Sequence, residues 1–85
     1  MKKVKIYTTS TCPYCIKAKK LLEYKKIPYE EISLNENYEA NMATLSQKTG
    51  FETVPQIFID EEFIGGCDDL YELEQHKKLD MLLGS

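Results

Sequence analysis

The chain has 85 residues, 42% of them hydrophobic and nine aromatic, with a formal net charge of −3. That length makes one small domain, expected over residues 1–85, and no apolar run approaches the roughly 18 residues of a membrane span, so a soluble globule is expected. Three cysteines, two of them only three residues apart, do not make a structural disulfide framework and point to a reducing cytoplasm.

The start, Met1-Lys2-Lys3-Val4-Lys5-Ile6, is charged with no continuous apolar stretch behind it, so no secretory signal is expected. Val4, Ile6 and Thr8 alternate with Lys3, Lys5 and Tyr7 as a first strand. After Cys12-Pro13-Tyr14-Cys15, the residues Ile16, Ala18, Leu21 and Leu22 recur at helical spacing, and the pattern stops near Ile27-Pro28. Tyr29–Leu34 alternates again as a second strand. Asn35 or Asn37 offers an N-cap for a helix through Tyr38, Met42, Leu45 and Lys48, closed by Gly50. The β-branched run from Val54 to Asp60, a turn at Asp60-Glu61-Glu62, and Phe63-Ile64 form a hairpin. Gly65-Gly66 ends it, and Asp68 is the expected N-cap of a helix through Leu70, Tyr71, Leu73 and Glu74. The stretch Leu79, Leu82, Leu83 either continues that helix or forms a short separate one. The order β-α-β-α-β-β-α requires a parallel first pair and an antiparallel hairpin, hence a four-stranded mixed sheet with helices on both faces.

Charge is unevenly spread. Residues 1–26 hold eight lysines and one acid, a local +7, whereas residues 27–76 hold one lysine and twelve acids, a local −11. The basic end contains the cysteine pair, and a positive field there favours a thiolate and anionic thiols. All eleven basic residues are lysine, so a ligand carboxylate must be met by ammonium groups or backbone N–H groups, without a bidentate fork.

Cys12 stands where a helix opens. Exposed N–H groups and the positive end of the helix dipole favour an anion there, which suits the thiolate that acts as nucleophile. Cys15 lies one turn further on the same face, placed to attack a mixed disulfide formed by Cys12. Pro13 fits the first helical turn because its missing N–H had no partner there. Tyr14 either shields the sulfur and flanks a bound peptide or is an exposed ring without a role. Zinc would need Cys12, Cys15, Cys67 and the single histidine, His76, a set with no paired spacing, so no metal is expected.

Three separated motifs, Cys12-Pro13-Tyr14-Cys15, Thr53-Val54-Pro55 and Gly65-Gly66-Cys67-Asp68-Asp69, make the chain resemble a dithiol glutaredoxin on the thioredoxin fold over essentially its whole length. The resemblance implies a thiol–disulfide oxidoreductase that uses glutathione as co-substrate. Its partners would be disulfide-containing or glutathionylated proteins; no nucleic acid or membrane is implied, and the chain would be a monomer. Carried onto this sequence, the resemblance makes Pro55 a cis-proline facing the cysteines, with the Val54 backbone free to pair an extended peptide as an added strand. Thr53, Val54 and Pro55 would hold the cysteinyl part of glutathione. Gly66, Cys67 and Asp68 would meet its γ-glutamyl end, with helix-start N–H groups on the carboxylate and Asp68 on the ammonium. Two other readings share the motifs, a redoxin driven by thioredoxin reductase and an iron–sulfur carrier in which two chains share a cluster through Cys12 and glutathione. The chain departs from the family pattern at Thr9, where many relatives place lysine, and at Glu52, where a basic or neutral residue is common. Both weaken the expected hold on the glycine carboxylate.

Overall fold

Val4, Ile6 and Thr8 point to one side of a strand and are buried, whereas Lys5 and Tyr7 between them are half-buried. This is β1, Val4–Thr8, the second strand of a sheet. The computed structural model describes residues 2–84, so Met1 and Ser85, the ends of the expected domain, lie outside the described residues. In chain order the remaining elements are α1 (Pro13–Tyr24), β2 (Glu30–Ser33), α2 (Tyr38–Thr49), β3 (Gln56–Ile59), β4 (Glu62–Gly65), α3 (Cys67–Gln75) and α4 (Leu79–Leu83).

The sheet runs β2-β1-β3-β4. β1 and β2 are parallel, with Ile6 opposite Glu31, while β1–β3 and β3–β4 are antiparallel, with Ile6 opposite Ile57 and Phe58 opposite Phe63. The mixed pairing expected from the element order is therefore present. β3 lies between two neighbours and all four of its residues are buried, which is why Ile57-Phe58-Ile59 reads as continuous apolar sequence without alternation. Its side chains divide between two cores. Val4, Ile6, Ile57 and Ile59 pack with Ala18, Leu21 and Leu22 of α1, Leu70 of α3, and Leu79 and Leu83 of α4. On the other face Phe58 packs with Leu34 and with Met42 and Leu45 of α2.

Several boundaries differ from the sequence reading. β2 is shorter than Tyr29–Leu34, since pairing covers only Glu30–Ser33. α1 ends at Tyr24, well before Pro28, because Lys26 turns to φ 59° and the Ile27 N–H reaches back to the Leu22 carbonyl at 2.9 Å. Asn37 precedes α2 at φ 52° without a side-chain cap, and the local bond comes instead from the Asn41 amide to the Glu36 carbonyl at 2.7 Å. The last apolar stretch is a separate helix, α4, set off from α3 by Lys77 at φ 57°. The hairpin turn puts Asp60 and Glu61 both at positive φ, 49° and 71°, the twist that matches antiparallel strands even without glycine. Most important for the site, Asp68 is not the N-cap of α3. Gly66 holds that position, and Asp69 supplies the carboxylate that takes its N–H at 2.9 Å.

Candidate active site

Cys12 is itself the N-cap of α1. Its backbone is extended (φ −99°, ψ 109°), Pro13 follows at the first helical position, and its Sγ accepts the Cys15 N–H at 3.2 Å. A first-turn N–H that the helix cannot satisfy thus falls on sulfur, and more negative charge on that sulfur strengthens the bond. As a thiol, Cys12 also donates to the Val54 carbonyl at 3.6 Å. That contact corrects the expectation of an unpaired Val54 carbonyl, although a thiolate has no proton to give and would release it. Cys12 is half-buried, whereas Cys15 is buried at 1% exposure.

Burial, followed by the hydrogen bond with Cys12, pushes the Cys15 thiol up to about 12. Burial likewise pushes Cys67 above the usual thiol range, with Lys17 opposing the shift. Both thiols therefore keep their protons as pH rises through neutrality. Since alkylation needs a thiolate, iodoacetamide at pH 7–8 is expected to label Cys12 alone, with Cys15 and Cys67 reacting only in strong alkali or after unfolding. Replacing Cys12 by serine should not transfer labelling to Cys15, because burial, the larger cause, remains. Mass spectrometry of tryptic peptides reads the order, and first labelling at Cys15 or Cys67 would contradict it.

The segment from Gly50 to Pro55 owes its shape to a buried polar residue. The Gln56 amide, 0% exposed, donates to the carbonyls of Phe51 and Thr53, each at 3.0 Å, and its oxygen accepts the Thr49 hydroxyl at 2.8 Å. An unpaired amide at this depth would cost about 1–3 kcal/mol, so the loop is held to the sheet where its backbone meets Cys12. The Val54–Pro55 peptide is cis.

Gly65 sits at φ +119°, and a Cβ there would run into the Asp69 carboxylate. Only glycine allows β4 to turn directly into α3 while Asp69 caps the turn. The two segments meet across a groove of about 430 Å³, lined by Thr53, Val54 and Pro55 from the loop and by Gly66, Cys67 and Asp68 from the α3 start, together with Tyr14, Phe51 and Asp69. The six residues expected to hold glutathione thus line one cavity with Tyr14, and the Cys12 thiol touches its Val54 edge. Tyr14 is 59% exposed. Sequence reasoning missed Gln56, Asp69 and Phe51. A lone amide in an apolar strand, a second acid after a Gly-Gly turn and an aromatic directly after a helix-ending glycine were the available signals.

Three of the eight lysines behind the expected basic field are drawn into ion pairs. Lys5 pairs with Glu61 at 3.3 Å, Lys19 with Glu31 at 2.9 Å, and Lys25 with Glu74 and Asp80 at 2.8 and 3.3 Å, each joining the lysine-rich end to an acid later in the chain. Among the described residues no lysine lines the groove, although Lys17 lies near enough to act on the Cys67 thiol. Lys17 lies over the Tyr71 ring at 5.0 Å and Lys48 over Phe58 at 5.5 Å. Thr9 borders a separate cavity with Thr11, Asn35 and Tyr38, and Glu52 is exposed. Among the described residues, no three His, Cys, Asp or Glu side chains gather as a metal-holding cluster, and His76 is at the C-cap of α3.

The chain is similar to known proteins in both sequence and fold. The glutaredoxin family model matches residues 4–64. The chain is 51% identical over 85 residues to a glutaredoxin of Pseudomonas aeruginosa, covering 100% of both chains. It is 48% identical over 83 residues to glutaredoxin 3 of Escherichia coli, covering 98% of this chain and 99% of that one. In structure it resembles buckwheat glutaredoxin in a complex with glutathione, at a TM-score of 0.92 and 34% identity over 98% of this chain and 77% of that chain.

Proposed function

The chain belongs to the glutaredoxin family, and from that premise we infer that it is a glutathione-dependent thiol–disulfide oxidoreductase in which Cys12 attacks and the groove beside it holds the glutathionyl group. One observation carries the assignment of roles. Of three free thiols, only the half-buried Cys12 presents a sulfur that receives a helix N–H and borders the groove backbone at Val54.

The chemistry follows from that position. The Cys12 thiolate attacks the glutathionyl sulfur of a mixed disulfide; the old S–S bond breaks and the protein thiolate leaves and is protonated by solvent. A second glutathione thiolate then attacks the glutathionyl sulfur on Cys12, forming glutathione disulfide and returning the Cys12 thiolate. On a protein disulfide, Cys12 forms a mixed disulfide, and Cys15, once deprotonated, attacks Cys12 Sγ and expels the reduced protein. Two glutathione molecules then reduce the Cys12–Cys15 bond. Because burial holds Cys15 protonated, this second route gains from rising pH more than the first.

In the groove, Val54 offers its backbone to the cysteinyl part, and its carbonyl is released when Cys12 ionises. Thr53 and Pro55 continue that wall. The N–H groups of Cys67 and Asp68 open α3 and suit the γ-glutamyl carboxylate, while the Asp68 carboxylate suits the ammonium. Tyr14 flanks the bound thiol. Glutathionylated and disulfide-bonded proteins are the proposed substrates, the chain acts as a monomer, and the cytoplasm is its proposed compartment. Reduction of a glutathionylated peptide with glutathione, glutathione reductase and NADPH should proceed, and replacing glutathione and its reductase by thioredoxin reductase should stop it. Turnover driven by thioredoxin reductase alone would reject this electron source.

The glycine end of glutathione is the weakly held end. Among the described residues no lysine lines the groove, and the exposed Glu52 beside Thr53 brings a carboxylate to its edge, opposing the glycine carboxylate. At an effective dielectric of roughly 45–80, like charges roughly 8 Å apart change affinity by about two- to fivefold. Glu52→Lys should therefore lower KM for a glutathionylated peptide at low ionic strength, and added salt should shrink the gain. A rise in KM on Glu52→Lys would show that Glu52 orients the site and does not repel the ligand.

A further inference from the structure

Phe51 has no part in the chemistry above, yet it is the most firmly held of the exposed rings at the groove. Its carbonyl accepts the Ser46 hydroxyl at 2.7 Å and the buried Gln56 amide at 3.0 Å, and its N–H donates to the Thr49 hydroxyl at 3.1 Å. Its ring stacks edge-on against Phe63 with centroids 5.0 Å apart, and Phe63 packs on Phe58 at 5.3 Å. The backbone and the ring are thus both fixed, while 37% of the residue stays exposed. The ring borders Gly66 closely: a Cβ built on Gly66 would sit 3.7 Å from Phe51 Cε2. An exposed aromatic surface whose freedom is already spent can bind with little further ordering cost.

We propose that Phe51 is a specificity-determining residue of the groove, a pre-set apolar wall that packs against the methylene groups of the γ-glutamyl arm where that arm passes Gly66. This rests on the glutathione reading of the groove. Phe51 lies away from the reacting sulfurs, so it should act on ligand affinity and leave the chemical step unchanged. The wall also suits a groove that no lysine lines among the described residues, since apolar contact takes a share of the hold that charge does not supply.

The test is steady-state kinetics on a glutathionylated peptide for wild type, Phe51→Ala, Phe51→Leu and Phe51→Tyr, with Tyr24→Ala as an exposed control remote from the groove. Phe51→Ala should raise KM about three- to tenfold with kcat unchanged, Phe51→Leu should fall between, and Phe51→Tyr should restore the wild-type KM. Iodoacetamide labelling of Cys12 at neutral pH should proceed at the same rate in all of them, which a general loosening of the site would not allow. If Phe51→Ala fails to fold, the Leu and Tyr variants still decide, because loss of the ring in Leu must raise KM and its return in Tyr must not. An unchanged KM in a variant lacking the ring, or a fall in kcat at constant KM, would overturn the proposal while leaving the activity standing. A wild-type protein that does not turn over the glutathionylated peptide would instead remove the reading on which it rests.

Discussion

Cys12→Ser should lose at least about a thousandfold in turnover on every disulfide substrate, while Cys15→Ser should keep deglutathionylation within about two- to threefold and lose about tenfold or more on protein disulfides. The asymmetry comes from where α1 begins. Cys12 is the N-cap whose sulfur takes the Cys15 N–H, and Cys15 lies a turn inside with its thiol held protonated by burial. Serine is a good N-cap, so Cys12→Ser should fold normally and remove the nucleophile alone. At Cys15, 1% exposed, a serine hydroxyl is smaller than the thiol and costs more to bury, so some loss of stability, about 1–2 kcal/mol, should accompany the retained activity. Paired assays on a glutathionylated peptide and on a protein with one disulfide, alongside thermal melts, separate these effects. Equal loss in both variants on the glutathionylated peptide would refute the division of roles.

Gly65→Ala should be the most damaging conservative change in the chain outside the cysteines. At φ +119° an alanine is strained, and its Cβ has no room because the Asp69 carboxylate occupies it. Relief requires Asp69 to move, which breaks its 2.9 Å bond to the Gly66 N–H and frays the start of α3. Backbone strain and overpacking together cost about 2–4 kcal/mol, and at this size that lowers Tm by at least about 10 °C. Because Gly66, Cys67 and Asp68 follow directly, KM for the glutathionylated peptide should rise well below the melting temperature, while labelling of Cys12, on a different helix, should be retained. Asp69→Asn keeps the shape but weakens the acceptor, so it should show the same pattern at a fraction of the size. A melt within about 2 °C of wild type for Gly65→Ala would mean that the turn has another conformation open to it.

The alternation of Val4 and Ile6, the apolar β3 run and the lysine-interrupted helix after Pro13 were enough to give the element order and the mixed sheet, because each depends on local period. The cysteine pair and its place at a helix start were also legible. Less legible was whatever depends on which groups meet across the chain. Asp68 and Asp69 are equally good caps in sequence, and only the path of β4 into α3 puts the second one over the Gly66 N–H. The lysines of the first 26 residues read as a positive field, yet Lys19 and Lys25 are spent on Glu31, Glu74 and Asp80 brought in from 12 to 55 residues away. Gln56 looked like one more strand residue, and its role appears only when the loop from Thr49 to Thr53 folds back over it. The role of Phe51 was hidden for the same reason, its position being set by partners on three other segments.

The most direct test of the central claim is the site of the covalent intermediate. Cys15→Ser should be mixed with a glutathionylated peptide at neutral pH, quenched in acid, and the cysteine carrying glutathione identified by peptide mass spectrometry. A single glutathionyl group is expected, on Cys12, formed as the peptide is released and removed by added glutathione. A glutathionyl group on Cys67 in place of Cys12, or release of the peptide with no adduct on the protein, would contradict it.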